Sequence, residues 1–413
     1  MNTLLSVAWF SLLSRKKTVL LTFMSLTISI MVLLSVEHIR LQAKESFNRT
    51  ISGVDLIVGA PTGQLNLLLY SVFRMGNPTN NIDISSYNML RDNDLVDWAI
   101  PISLGDSHRG FRVMGTNDAY FAHYRYGNKQ AIQFSTGQAF NGLFETVIGA
   151  DVAKALNYKV GDNIVIAHGI GSTSFKHHDQ APFTISGVLT PTGTPIDKTV
   201  HVSLPAIEAI HLSPRALQQL VDDPNAEIPQ PDNLTAVMVG LKSKFATFGL
   251  QRNINNYEDD RLMAVLPGVA IAELWTLMSN VENLLRVIAI LVLVSSLFGL
   301  STMLLASMNE RTPEIAVLRV LGAGPSTIFL LILFEALILV LLSIGVSLLL
   351  MHAVLLGLEG WLASEFGLFL SSSVFSPALL TISGFVVLAT LVVSIIPGFE
   401  AYKNALHAQL SGR

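Results

Sequence analysis

The sequence predicts a membrane protein: four bilayer-crossing α-helices, with a large extracytoplasmic α+β domain inserted between helices one and two. Three observations predict it. The 413 residues are 51% hydrophobic and only 14% charged, where a soluble domain carries about a quarter charged residues. The shortfall is local, because Thr18–Val36, Val287–Asn309, Ala336–Leu358 and Phe366–Phe399 contain no charged residue. Each run approaches or exceeds the roughly 20 residues that cross a hydrocarbon core of about 30 Å.

Residues 1–17 form an N-terminal segment ending in Arg15-Lys16-Lys17, and the first span covers 18–38. A signal peptide is the alternative. The apolar run of 19 residues exceeds the usual signal core, and no A-x-A cleavage site follows, so an uncleaved anchor is expected. EHIRLQAKESFNRT (37–50) reads as its polar helical continuation.

Residues 39–283 form the outer domain, entered and left by stalk helices. Short apolar runs bounded by turn residues read as strands: GVDLIVGAP (53–61), WAIPISLG, GFRVMGT, NIVIAHG, PFTISGVL, KTVHVSL and AVMVGLK. Helices are expected at QLNLLLYSVF (64–73), SSYNMLRD (85–92), within 145–162, at LPAIEAIHLS (204–213), at 244–257 and over 264–284. VDDPNAEIPQPDN (221–233) reads as a solvated loop. The stripe Leu65, Leu68, Leu69, Val72 with Phe73 is either core or a lip for a lipid or peptide. With no cysteine in the chain, this domain must rely on its own core. The net charge of −4 excludes a nucleic-acid partner.

The second span is 284–307, a charged block follows at 308–324, and the third span is 325–352. A short outer loop (353–374), the fourth span (375–397) and a tail (398–413) complete the chain. Lys and Arg favour cytoplasmic loops. They occur in the N-terminal segment, in the block and in the tail, whereas the loop between spans three and four holds only Glu359 and Glu365. Both termini and the block are therefore expected in the cytoplasm. Four spans are too few for a transporter of inverted repeats, so a dimer is expected.

The block SMNERTPEIAVLRVLGAG (307–324) is overbuilt for a turn. Thr312 and Pro313 suit an N-cap and first helical position, with Glu314 in the first turn. Gly322-Ala-Gly324 ends the helix, and Pro325 starts another. Ile315, Leu318 and Leu321 or Gly322 share a stripe beside Val317 and Val320; Glu310, Arg311, Glu314 and Arg319 fill the remainder. The block is thus either a short amphipathic helix with one side for a partner's groove, or an interfacial turn that keeps a hairpin soluble.

EIAVLRVLGA, with Glu335 downstream and IPGFEAYKNALHAQL near the C-terminus, resembles the permeases of MacB, LolC/LolE and FtsX type. The resemblance rests on Glu314, Ile315, Leu318, Arg319 and Gly322, then on Pro397, Ala401 and Leu410; Gly398 replaces a usual Ala. It implies a subunit of an ABC transporter working by mechanotransmission. Residues 309–323 would then be a coupling helix docking on an ATPase through Glu310, Arg311, Glu314, Ile315, Leu318, Arg319 and Gly322. The sequence holds no G-x-x-x-x-G-K-[ST] motif, so ATP and Mg are expected on a separate ATPase, in two copies beside a permease dimer. A homodimer is favoured over a heterodimer. The resemblance also implies a bacterial inner-membrane location with the large domain in the periplasm.

Glu335 lies about 10 Å into the third span, where a carboxylate is costly unless paired or wetted. It is expected to pair near the coupling helix, with Arg319 or a second protomer, or else to snorkel. Of ten histidines, His168, His177 and His178, with Asp179, are the densest set, a zinc-ligand group or a polar exposed loop. No G-x-S-x-G or H-E-x-x-H occurs. Besides the permease reading, the sequence leaves open an FtsX-like subunit that signals to a periplasmic partner, and a membrane-anchored metalloenzyme.

Overall fold

In the computed structural model, described over residues 2–168, 181–222, 228–310, 312–366 and 376–410, the chain divides into two units. One is built on residues 44–278; the other gathers helices from 1–43, 279–362 and 370–413. The chain starts as α1 (Asn2–Ser14), breaks at Arg15 and continues as α2 (Lys16–Thr50). The N-terminal segment is thus a helix, with Ala8, Ser11 and Leu12 buried and Trp9, Phe10 and Leu13 exposed.

In the outer domain β1 (Leu56–Gly59), α3 (Gln64–Ser71), β2 (Ile82–Asp83) and α4 (Ile84–Arg91) precede β3 (Val96–His108) and β4 (Phe111–Thr116). Next come α5 (Ala119–His123), β5 (Arg125–Tyr126), β6 (Gln130–Ala131), β7 (Phe134–Gly137), β8 (Glu145–Ile148) and α6 (Ala150–Leu156). Then follow β9 (Asn163–Ile164), β10 (Ala167–His168), β11 (Phe183–Leu189), β12 (Thr199–Ser203), α7 (Leu204–Ala209) and α8 (Pro214–Asp222). β13 (Asn233–Leu234), β14 (Ala236–Leu241), α9 (Thr247–Asn255) and β15 (Met263–Val265) close the domain.

The main sheet runs β15-β1-β14-β3-β4-β12-β8-β11-β7, with β9 beside β11 and β10 beside β3. Its pairs are antiparallel except β4 with β12 and β8 with β11. β3 joins two halves: Val96–Ile102 pair with β14, and Ser103–His108 with β4. Strand side chains alternate between faces, so Ile57, Ile100 and Met238 enter one apolar cluster, and Leu56, Val58, Ala99 and Val237 enter another. Burial on both faces explains why these strands read as continuous apolar runs. Leu68, Val72 and Phe73 lie in the first cluster with Leu69 packed against it, so the α3 stripe is core rather than a lip.

Two expectations need correction, and three strands were not expected. NIVIAHG is not one strand: β9 pairs with β11, and β10 pairs with β3. Residues 263–265, expected at a helix start, form edge strand β15 on β1, and the helix begins at Pro267. The strands β5, β6 and β7, short and polar, carried no sequence signal.

After β15 come α10 (Pro267–Glu310), α11 (Thr312–Val320), α12 (Pro325–Phe366) and α13 (Pro377–Leu410). α12 runs on through residues expected in the outer loop from 353, and α13 continues through Pro397 into the expected tail. Among the described residues, four helices are long and apolar enough to cross a membrane: Lys16–Glu45, Pro267–Met308, Pro325–Leu358 and Pro377–Lys403. Leu26, Ile30 and Leu34 of α2 pack with Leu293 and Leu297 of α10, Val340 and Ile344 of α12 and Val386 of α13. Lipid offers no hydrophobic drive to pair helices, so small polar contacts specify the match. The Ser25 and Ser29 hydroxyls meet that of Ser296 at 3.3 and 2.5 Å, and Ser347 donates to the Thr27 carbonyl at 2.8 Å. Where the apolar run of α2 ends, Glu37 joins Arg40 (2.5 Å) and Arg286 of α10 (3.1 Å), and Arg40 faces Glu282 at 3.8 Å.

Candidate functional site

The charged block folds as the short helix α11, and its end shows why its glycine is there. The Ala323 N–H bonds the Leu318 carbonyl and the Gly322 N–H bonds the Arg319 carbonyl, both at 2.9 Å. Gly322 has φ +93°. This is a Schellman ending, whose left-handed residue favours glycine. A Cβ at Gly322 would meet nothing within 4 Å, so the backbone conformation alone demands glycine there. Pro325 then opens α12, its missing N–H harmless in a first turn.

α11 has two different sides. Ile315 packs against an apolar cluster of Leu12, Met303, Leu304, Met308, Ile328 and Ala401. Leu318 and Arg319 are half-buried. Val317, Val320 and Leu321 point outward, at 60%, 88% and 78% exposure. Ala316, Arg319, Val320, Gly322, Ala323 and Gly324 line an open concavity of about 450 Å³. An exposed apolar edge beside a shallow hollow is the geometry of a docking element. The side chain of Glu310 and the whole of Arg311 lie outside the described residues, as does the expected N-capping side chain of Thr312.

Behind α11 lies a polar cluster that sequence reasoning only half found. Glu335 of α12 is fully buried, and its cation is Arg15, 3.5 Å away, rather than Arg319. Arg15 also donates to the Ser11 hydroxyl at 3.1 Å, and Ser11 donates to Glu314 at 3.3 Å. A buried carboxylate requires a cation, but Arg15 lies 320 positions away in sequence, so no local spacing could single it out. Ala401 fills the apolar cluster, and at Gly398 a Cβ would stand 3.0 Å from the Phe329 ring. An alanine there would require the Phe329 ring to shift by a few tenths of an ångström.

Among its described residues, the outer domain offers no comparable site. His168 pairs at the strand edge opposite Asp106, while His177, His178 and Asp179 lie outside the described residues. Among the described residues no group of three His, Cys, Asp or Glu could hold a metal. His108 bonds the Val165 carbonyl at 2.6 Å and the Tyr158 hydroxyl at 3.1 Å, and burial lowers its pKa. His201 is sealed in the sheet with Nδ1 3.2 Å from the Val147 carbonyl; burial first, then the Arg74 charge, pushes its pKa down to about 3. Asp197 is held by the Thr192 and Gly193 backbone N–H groups and the Thr192 hydroxyl, with burial raising its pKa. These are structural uses of polar groups.

The MacB-like periplasmic core domain family matches residues 19–257, and the FtsX-like permease C-terminal family matches 286–406. Among solved structures, the periplasmic region of MacB from Actinobacillus actinomycetemcomitans is similar at 11% identity. That match covers 57% of this chain and 95% of that one, with a TM-score of 0.33. The extracellular domain of the noncanonic ABC-type transporter YknZ from Gram-positive bacteria is similar at 12% identity, covering 51% and 99%, with a TM-score of 0.29. No curated protein matches the sequence.

Proposed function

The chain belongs to the family of MacB-like and FtsX-like ABC permeases, and from that premise we propose that it couples ATP hydrolysis by a separate ATPase to movement of its outer domain. Permeases of this family are non-catalytic membrane subunits that work with a cytoplasmic ABC ATPase. Under this reading α11 is the coupling helix, both termini are cytoplasmic, and two copies of the chain meet two ATPases in the bacterial inner membrane. ATP and Mg stay on the ATPase. The work done at the outer face is export, extraction or transmission of force to a periplasmic partner.

One observation carries the reading: α11 is anchored through Ile315, with exposed Glu314 accepting from Ser11, yet leaves Val317, Val320 and Leu321 uncovered. An interfacial turn that merely kept a hairpin soluble would have no reason to display that edge. Val320→Asp should abolish co-purification of an ATPase while the chain still inserts and folds. Gly322→Val forces a β-branched residue into a left-handed position, costing roughly 1–2 kcal/mol, and should weaken co-purification through the misplaced edge. An ATPase retained at full stoichiometry by Val320→Asp would sink the reading.

A further inference from the structure

We propose that α1 is part of the coupling element and that Arg15 is the positioning residue joining it to the third apolar helix. The inference rests on the reading of α11 as the ATPase-docking helix. Its basis is a line of contacts joining the N-terminal segment to two consecutive helices, with 303 positions between Ser11 and Glu314. Glu314 on α11 accepts from Ser11 on α1; Ser11 accepts from Arg15 at the break between α1 and α2; Arg15 faces Glu335 on α12. One short stretch, Ser11 to Arg15, therefore holds two acids that belong to different helices.

Those two helices need such a bridge. Between Glu314 and Glu335 the backbone passes through the Gly322 turn, with φ +93°, and restarts at Pro325. No helical hydrogen-bond ladder runs through that turn, so a push on α11 passes poorly along the chain. The clamp offers a second route from Glu314 through Ser11 and Arg15 to a fully buried carboxylate in α12. It has an apolar backing: Leu12, 4% exposed, shares a cluster with Ile328, Ile332 and Ala336 of α12, and Ile315 of α11 packs against it. Arg15 itself is nearly buried, at 9% side-chain exposure. An arginine used only to bias membrane orientation would keep its charge in water.

The proposal says that α1, α11 and the start of α12 move as one body, with Arg15 setting their relation. The chain contains no cysteine, so an introduced pair reports cleanly. The test uses the full chain with its co-purifying ABC ATPase in lipid nanodiscs. Ser11→Cys with Glu314→Cys, bridged by a short bismaleimide, is expected to leave ATP turnover close to that of the same variant before cross-linking. Arg15→Gln is expected to keep the ATPase bound at wild-type stoichiometry but lower turnover by roughly tenfold or more, as misplaced machinery does. Arg15→Lys restores most of it. Arg15→Gln combined with Glu335→Gln removes both buried charges; it is expected to regain thermal stability while turnover stays low.

Unchanged turnover in Arg15→Gln overturns the proposal. So does a cross-link that stops turnover, because α1 and α11 would then have to part during the cycle. Recovery of turnover in the double variant also overturns it, reducing Arg15 to a counter-charge. If wild-type chain retains no ATPase at all, the coupling reading itself falls, a result distinct from each of these.

Discussion

Glu335 in the helical unit and His201 in the outer domain are both fully buried, and the two units treat them in opposite ways. Glu335 is given a cation, Arg15, at 3.5 Å. His201 is kept neutral by burial first and then by the charge of Arg74, although the Val147 carbonyl, 3.2 Å from its ring, works the other way. An arginine cannot shed its proton in a protein, so a buried arginine commits its surroundings to an acid. An imidazole loses its charge at modest cost and then packs as an aromatic, here 5.2 Å from the Tyr120 ring. The contrast suggests that the helical unit keeps charge where it is used and the outer domain strips it where it is not.

The largest effect should come from unpairing the helical site. Glu335→Gln alone leaves Arg15 buried without its acid and should cost about 3–5 kcal/mol, whereas removing both charges should cost less. Unfolding midpoints of the full chain in detergent give both values, and equal losses in single and double variants would show that the pair is not coupled.

The next effect is on the outer domain and follows pH. The folded pKa of His201 is about 3, below its ordinary value near 6.5, so the unfolded chain binds the extra proton first. This contribution is constant above about 6.5 and is lost as pH falls toward 3, at about 1.4 kcal/mol per unit. His201→Asn should flatten the slope of stability between pH 6.5 and about 4. A slope unchanged by the substitution would mean that another group carries the acid sensitivity.

The smallest effect belongs to the second charged site of the helical unit. Glu37, Arg40, Glu282 and Arg286 form a network in which the Arg286 side chain is 41% exposed. Glu37→Gln should cost no more than about 1 kcal/mol, and added salt should erase most of the difference. A loss as large as that of Glu335→Gln would place this network in the same class as the buried pair.

What the sequence revealed follows the range of the physics involved. The C-terminal end of α11 was legible because the Gly322 ending acts over a few residues. The four apolar helices were legible because length and lack of charge are properties of one segment. Arg15 was counted correctly as a basic residue near a span, but its partner lies on another helix. β15 was misread because Met263-Ala-Val265 has no strand signal of its own; it is a strand because β1 offers an edge. The extension of α12 to Phe366 was missed because the third span was given little more than a bilayer's length, ending at 352, and the helix runs on past it.

The position of β1 has a consequence for how the protein is made. It pairs with β14, about 180 residues later, and with β15 beyond that. At roughly 5–20 residues per second, the first strand waits on the order of 10–40 s for its partners to be synthesised. During that time an apolar run with two open edges is tethered to an anchor that has already entered the bilayer. Pairing of such distant strands is slow and leaves edges exposed to aggregation. Maturation of the outer domain should therefore be the slow step of biogenesis, completed only when the second apolar helix begins to emerge.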